Sequence, residues 1–555
     1  MVGIHYLDNI FAFLRRHVDW LASFCLIGMA LIYVVRFVNF NVPPFEDAAM
    51  LMRYADHLAH GYGIVWNIGE HPVDGATDFL FMVTSAGLIK LGVPVGRSVR
   101  SLAFVSQILI VLLVYWVNRK VWKANILLSF ISGLYLCVGT GFSYVAAFFG
   151  TSFFAFFACL TLAIGLALIQ KQKPAIGLSL LFAFSGLLTG LSRPEGVILA
   201  AGLLITIIIM KGWHESVNTI AVFTAVFFFF GGTYFLWHWN YFGYPLPNPF
   251  YAKGGGLIYW DSFWESFGNL FRFGGPFMLA FLLGFRSREK TRQTIAFLFP
   301  LILFAAAFIL ISNETNFGGR FQYALWPMIL ICWYPLVDDL LEKVKLVIPW
   351  PIEVRTQILL ILTVSVLIFS LIEYSTSQNC VLTSFQNSCG VAYESDGRYE
   401  VAKYLSGYQA KGYVIATSEA GLLPFYSNWT AIDTWGLNDE WIAHHSGITA
   451  DYLDRYKPNV IVFHAYFSPL IPPRLIEKNL SQRWFRMTIT LKDYAETHGY
   501  VLAAAFGDSP YETHYYYVRA DFVDSDRIVR DISAMKNYYW YVSGRKSINY
   551  ASIHP

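Results

Sequence analysis

Apolar runs long enough to cross a bilayer recur through the first two-thirds of the chain, and nothing else constrains its fold as strongly. A spanning helix needs roughly 20 mostly apolar residues. Runs of suitable length lie near 20–39, 98–118, 124–141, 144–169, 175–191, 196–210, 217–237, 264–285, 293–312, 321–338 and 355–374. They predict a polytopic α-helical membrane protein with about eleven transmembrane helices. The composition agrees, with 56% of residues hydrophobic and only 14% charged. A soluble chain would carry roughly a quarter charged residues. The first run lacks a small-residue cleavage pattern and reads as a retained span. A net charge of +3 gives no footprint for nucleic acid.

The run 78–93, "DFLFMVTSAGLIKLGV", decides the sidedness of every later loop. If it lies in the interface, one set of loops collects the basic residues Arg15, Arg16, Arg119, Lys120, Lys123, Lys171, Lys173, Lys211, Arg286, Arg288, Lys290, Arg292, Lys343, Lys345 and Arg355. Basic loops stay cytoplasmic. The run is therefore expected to be a juxtamembrane helix, too short to cross. The opposite loops hold the unusual polar stretches "PPFEDAAMLMRYADHLAHGYG", "LSRPEG", "YFGYPLPNPFYAKGGG" and "NETNFGGRFQY". An active face, on this reading, points outward, as does the polar tail.

Residues 1–374 thus form the membrane part and 375–555 a soluble α/β domain. Strand-like runs occur at 412–417, 459–464, 500–506 and 514–520, with helical patterns at 397–409 and 450–456. Cys380 and Cys389 would sit in an oxidising compartment, where a disulfide and a pair of free thiols both stay open. The cysteines show no metal-type spacing.

Two adjacent acids, Glu46 and Asp47, follow the first span almost at once. Acids there serve cation binding, general-base chemistry, or capping of the helix that "AAMLMRYADHLAH" predicts. Three cations stand on other outer loops: Arg193, Lys253 and Arg320. Each has a plainer reading. Arg193 can pair locally with Glu195, and Lys253 and Arg320 can snorkel to the interface. Arg53, on the same predicted helix as the acids, can simply pair with them. His60 and His71 suit a surface, and Asp433 suits domain packing as well as an acceptor contact.

The segment 46–79 carries Glu46-Asp47, Arg53-Tyr54-Ala55, Gly61, Gly63, Asn67, Gly69-Glu70, Asp74-Gly75, Thr77 and Phe79. With "SRPEG" (192–196), "YPLPNPFYAK" (244–253), "GGRFQYALWP" (318–327) and "ATSEAGLLPFYSNWTAIDTWGLND" (416–439), it resembles the bacterial GT-C glycosyltransferases. The likeness is greatest to the mycobacterial terminal arabinofuranosyltransferase type. Glu46 stands where that family commonly has Asp, Ala76 replaces an aromatic, and Asp78 replaces an Asn. The resemblance implies a GT-C helical bundle with two juxtamembrane helices in the first outer loop. It also implies transfer of a sugar, arabinofuranose, from a polyprenyl-phosphate carrier to an acceptor hydroxyl on an extracytoplasmic glycan or protein.

That chemistry gives the residues roles. Asp47 takes the acceptor proton, with Glu46 as its orienting neighbour. Arg193, Lys253 and Arg320 balance charge on the leaving phosphate. Arg53, Tyr54, Glu195, Asn248, Tyr251, Trp66 and His71 are assigned to substrate binding, and Tyr62 and Trp435 are further stacking surfaces for sugar. No cofactor is implied beyond the lipid-linked sugar as substrate. A divalent metal on Glu46 and Asp47 stays open. Expected partners are that donor, the acceptor and membrane lipids, in a bacterial cytoplasmic membrane with the active face toward the periplasm. The competing class is a transporter or flippase of an envelope lipid, which would need polar residues inside the spans.

Overall fold

The computed structural model describes residues 2–172, 175–253, 255–313, 315–347, 396–474 and 479–535. The chain divides into two compact units. One comprises Met1–Phe40, Arg100–Thr233 and Ile258–Thr383; the other comprises Asn41–Val99, Tyr234–Leu257 and Ser384–Pro555.

Among the described residues, seven helices are long and apolar enough to cross a membrane: His17–Arg36, Val95–Val121, Thr151–Gln170, Trp213–Phe242, Trp260–Arg286, Arg288–Leu310 and Phe317–Glu342. Ile176–Ser192 and Gly196–Lys211 are apolar but shorter. The expected span at 355–374, like Cys380 and Cys389, lies outside the described residues. The run 124–141 is not one helix. Ile126–Leu134 is helical, the chain turns, and a second helix, Thr140–Ala146, begins after Gly139 at φ 91°. That backbone state is open to glycine and costly for other residues, so the helix cannot run through it.

Small residues set the packing of the first unit. A Cβ on Gly202 would lie 3.0 Å from Pro300 Cα, so Gly196–Lys211 approaches Arg288–Ala307 closely there. Pro300 has no N–H to give Ala296 four residues back. The Thr206 hydroxyl donates to that carbonyl instead, at 2.7 Å.

In the second unit, Phe79–Lys90 is a 12-residue helix. At 1.5 Å per residue it is about 18 Å long, short of a hydrocarbon core about 30 Å thick. The tail folds around a five-stranded mixed sheet of β1 (Val414–Thr417), β2 (Thr430–Asp433), β3 (Val460–Ala465), β4 (Tyr500–Ser509) and β5 (Glu512–Arg519). Its order is β2-β1-β3-β5-β4. β1 runs parallel to β2 and β3, while β5 is antiparallel to β3 and β4. One face carries Ile461, Phe463, Tyr515 and Tyr517 against Leu491 and Tyr494 of the helix Asn479–Thr497. Alternation along the strands turns His464 and His514 to the opposite face.

Candidate functional site

In the second unit the helix Glu46–Ala59 opens with Glu46 and Asp47 in its first turn. Its Ncap is Phe45, which makes no side-chain capping bond, and the acids stand at the positive end of the helix dipole. The two carboxylates are not equivalent. Glu46 Oε1 accepts from the Gly421 and Leu422 amides at 2.6 and 3.0 Å, and Oε2 accepts from Arg398 at 3.0 Å. Glu46 therefore caps the turn that starts Leu422–Ser427 and ties its own helix to the sheet domain. Burial raises its pKa, and Arg398 pulls it back. Asp47, one residue on, is half-buried.

Gly421 is required by this join, because a Cβ there would fall 1.9 Å from the Glu46 carbonyl oxygen. Gly421→Ala is expected to cost about 1–3 kcal/mol by overpacking. Chemical denaturation of the purified protein checks it, and an unchanged midpoint would show that the join yields.

Arg53, expected to touch substrate, is instead a buried anchor, 4% exposed. Its Nε donates to the Trp66 carbonyl at 2.8 Å, and Nη2 donates to Asn67 Oδ1 at 3.0 Å and to the Trp429 carbonyl at 2.9 Å. Nη1 donates to the Pro424 carbonyl. Tyr54, Trp66 and Asn248 are also turned to packing. Tyr54 donates to Asn438 Oδ1 at 3.0 Å, and Trp66 to the Ala431 carbonyl at 2.9 Å. Asn248 donates to the carbonyls of Gly436 and Leu437 at 2.8 and 3.0 Å. Asp433 is fully buried; it accepts from the amides of Trp435, Gly436 and Asn438 and so holds that turn. Trp435 lies in the domain core. These hydrogen bonds make the first loop a fitted lining for the sheet domain.

Asn67 shows how. Its amide accepts from the Ala431 N–H at 2.9 Å and donates to the Ala431 carbonyl at 3.0 Å. That imitates a neighbouring strand along β2, the edge of the sheet. Asp74, half-buried, pairs with His238 Nε2 at 2.7 Å. His57 Nδ1 donates to the Val65 carbonyl, 2.9 Å away.

Burial, and then Arg53, push the His57 pKa down to about 4. The unfolded chain binds that proton near pH 6.5, so stability present above pH 6.5 is lost as pH falls toward 4. Between pH 7 and 5 the loss amounts to about 2 kcal/mol. His57→Gln is expected to flatten this part of the melting profile; an equal slope in the variant would assign the loss elsewhere.

Other expected site residues remain open to solvent. His71 and Tyr62 are exposed. Tyr251 is half-buried and packs on His444 at 4.5 Å between ring centroids, and Lys253 follows it at the end of the turn Asn248–Ala252.

In the first unit, Arg193 caps the C-terminus of Ile176–Ser192 and bonds Glu195 at 2.6 Å. Arg320 sits in the turn Phe317–Gln322, where Gly318 and Gly319 both have positive φ. The structure brings the two arginines onto one ring. Their guanidinium carbons lie 4.7 and 5.1 Å from the Phe321 centroid, and Arg320 is also 4.0 Å from Phe149. Asn269, Asn316 and Gln322 brace the turn through Gln322 Oε1. Arg398, Glu419, His464 and His514 were not singled out by sequence. The signal available was two strands carrying histidines near their ends.

A domain family of unknown function, DUF8728, matches residues 390–525. No curated protein matches the chain. Among solved structures, the oligosaccharyltransferase of Archaeoglobus fulgidus, tethered to an acceptor peptide with an NVT sequon, aligns with TM-score 0.50 and 11% identity. The alignment covers 92% of this chain and 75% of that one. The same enzyme, AglB, with an inhibitory peptide and a dolichol-phosphate aligns at 0.48 with 11% identity over the same shares. ArnT from Cupriavidus metallidurans, bound to undecaprenyl phosphate, aligns at 0.45 and 13%, over 89% of this chain and 97% of that one. The fold is thus of GT-C type: a helical membrane protein with a C-terminal sheet domain.

Proposed function

We propose that the chain is a membrane glycosyltransferase moving a sugar, arabinofuranose, from a polyprenyl-phosphate donor to an acceptor hydroxyl on an extracytoplasmic glycan or protein. One observation carries the reading: in a GT-C fold, Glu46 anchors the first-loop helix through both its oxygens and so fixes the backbone that presents Asp47. Asp47 is the base that takes the acceptor proton. Arg193 and Arg320, gathered on Phe321, bind the phosphate that departs, and Lys253 adds a point charge. The leaving phosphate ester is a weak base and needs cations more than an acid. Tyr62 and Tyr251 offer faces for the sugar, and Arg53, Tyr54, Trp66 and Asn248 position the loop. The basic loops face the cytoplasm of a bacterial cell, and the sheet domain faces the periplasm.

The test is turnover of a labelled polyprenyl-phosphate arabinofuranose by the full chain in nanodiscs. Release of polyprenyl phosphate with the label moved to a glycan or peptide acceptor is expected. No consumption of any pentosyl or hexosyl donor, with folding intact, would overturn the reading.

A further inference from the structure

β3 and β5 pair so that His464 stands directly opposite His514. Their rings stack, 4.5 Å apart and 5° from parallel. Glu419, just past the end of β1, turns one oxygen toward both. Its Oε1 lies 3.4 Å from His464 Nδ1 and 3.7 Å from His514 Nε2. These ligand atoms fall within 4.8 Å of one another. Four ligands placed tetrahedrally at about 2.1 Å from an ion stand about 3.4 Å apart.

We propose that Glu419, His464 and His514 bind a divalent transition-metal ion of the Zn2+ class, in a site within the sheet domain and apart from the Glu46–Asp47 acids. The donor set decides the class: two imidazoles and one carboxylate suit Zn2+ and its neighbours, whereas Mg2+ and Ca2+ take oxygen. A second observation points to a ligand. His514 is 4% exposed, and its Nε2, aimed at Glu419, is buried with no hydrogen-bond partner among the described residues. A buried imidazole nitrogen in that state calls for something to meet it.

The far nitrogens fit as well. His464 Nε2 faces Glu512 Oε1 at 3.1 Å, and His514 Nδ1 faces Asp396 Oδ2 at 4.0 Å. Metal-binding histidines turn their other nitrogen to a carboxylate; the His464–Glu512 separation suits this, and the His514–Asp396 one is wider than a direct hydrogen bond. Glu419 Oε2 is held by Arg398 at 2.9 Å, leaving Oε1 for the ion. Formal charge agrees. With both imidazoles neutral as ligands, Arg398 is the fixed cation among the described residues that pairs with three little-exposed carboxylates, Asp396, Glu46 and Glu419. One divalent ion restores neutrality to that cluster. To share the ion the rings would tilt out of their stack toward Glu419, and water would fill the remaining position. The ion would brace Glu419, Arg398 and, through Arg398, Glu46.

The inference does not depend on the transferase reading, since its test is metal binding. The full chain in nanodiscs, stripped by chelator and dialysed, is titrated with Zn2+ and separately with Co2+. One equivalent of tight Zn2+ per chain is expected, with a tetrahedral Co2+ d–d spectrum. His514→Ala and Glu419→Gln should weaken binding by about 100-fold or more, beyond the loss of a supporting carboxylate. Asp47→Asn should leave it unchanged. If His514→Ala does not fold, the wild-type Co2+ spectrum decides. Absence of tight Zn2+ and of that spectrum in the wild type would overturn the proposal and leave imidazolium charge as what balances the acids. So would binding that survives Glu419→Gln but is lost in Asp47→Asn.

Discussion

Asp47→Asn is expected to lower sugar transfer by about 10²–10⁴-fold, the contribution of a positioned general base. Melting should stay within about 0.5 kcal/mol of the wild type, as for a change outside the core. The amide keeps the shape of the side chain but cannot take a proton. The neighbouring acid carries the join to the sheet domain: Glu46 holds Gly421, Leu422 and Arg398. Glu46→Gln should consequently show the inverse pattern, with stability affected before turnover. The readings are polyprenyl-phosphate release and thermal unfolding of the same preparations. Undiminished turnover in Asp47→Asn would remove it as the base.

Arg53→Met is expected to cost about 2–6 kcal/mol of stability, at about 1–3 kcal/mol for each buried acceptor left without a donor. The guanidinium meets the carbonyls of Trp66, Pro424 and Trp429 and the Asn67 amide oxygen. Methionine would leave the Trp66 and Trp429 carbonyls without this donor, while Asn67 Oδ1 keeps the Ala431 amide and the Pro424 carbonyl keeps the Asn428 amide. Denaturant unfolding followed by tryptophan fluorescence checks this. A variant that unfolds normally but needs far more donor would return Arg53 to the substrate-binding role its sequence position suggested.

Much of the fold was legible because it follows from local pattern. Charge asymmetry among the loops identified Phe79–Lys90 as a short helix, and the tail's apolar alternation located β1, β3, β4 and β5 within a few residues. β2 was missed. Its four residues, Thr430–Asp433, are too few to show a period, and they take their strand state from β1. The helix Asn479–Thr497 was missed because its polar outer face dilutes the apolar stripe. Hydropathy joined 124–141 into one span because it cannot register the backbone state of Gly139.

The site was less legible, for a different reason. Residue type and motif identified Glu46, Arg53, Tyr54 and Asn67, but their partners lie hundreds of residues away in sequence. Nothing local distinguishes an arginine that binds a phosphate from one that satisfies four carbonyl and amide oxygens. Glu46 and Asp47 look alike until Gly421 and Arg398 are in place. Arg193 and Arg320 share Phe321, a proximity that no spacing along the chain encodes.

The Asn67 amide that shadows Ala431 bears on how the tail behaves when it is cut loose. Without the first loop, β2 would offer a bare ladder of N–H and C=O groups to any passing chain. Trp66 and Arg53 would leave further acceptors uncovered nearby. A fragment beginning near residue 396 would thus be prone to recruit a strand from its own copies, however well its hydrophobic centre closes. The membrane-proximal loop acts as a resident guard against self-assembly.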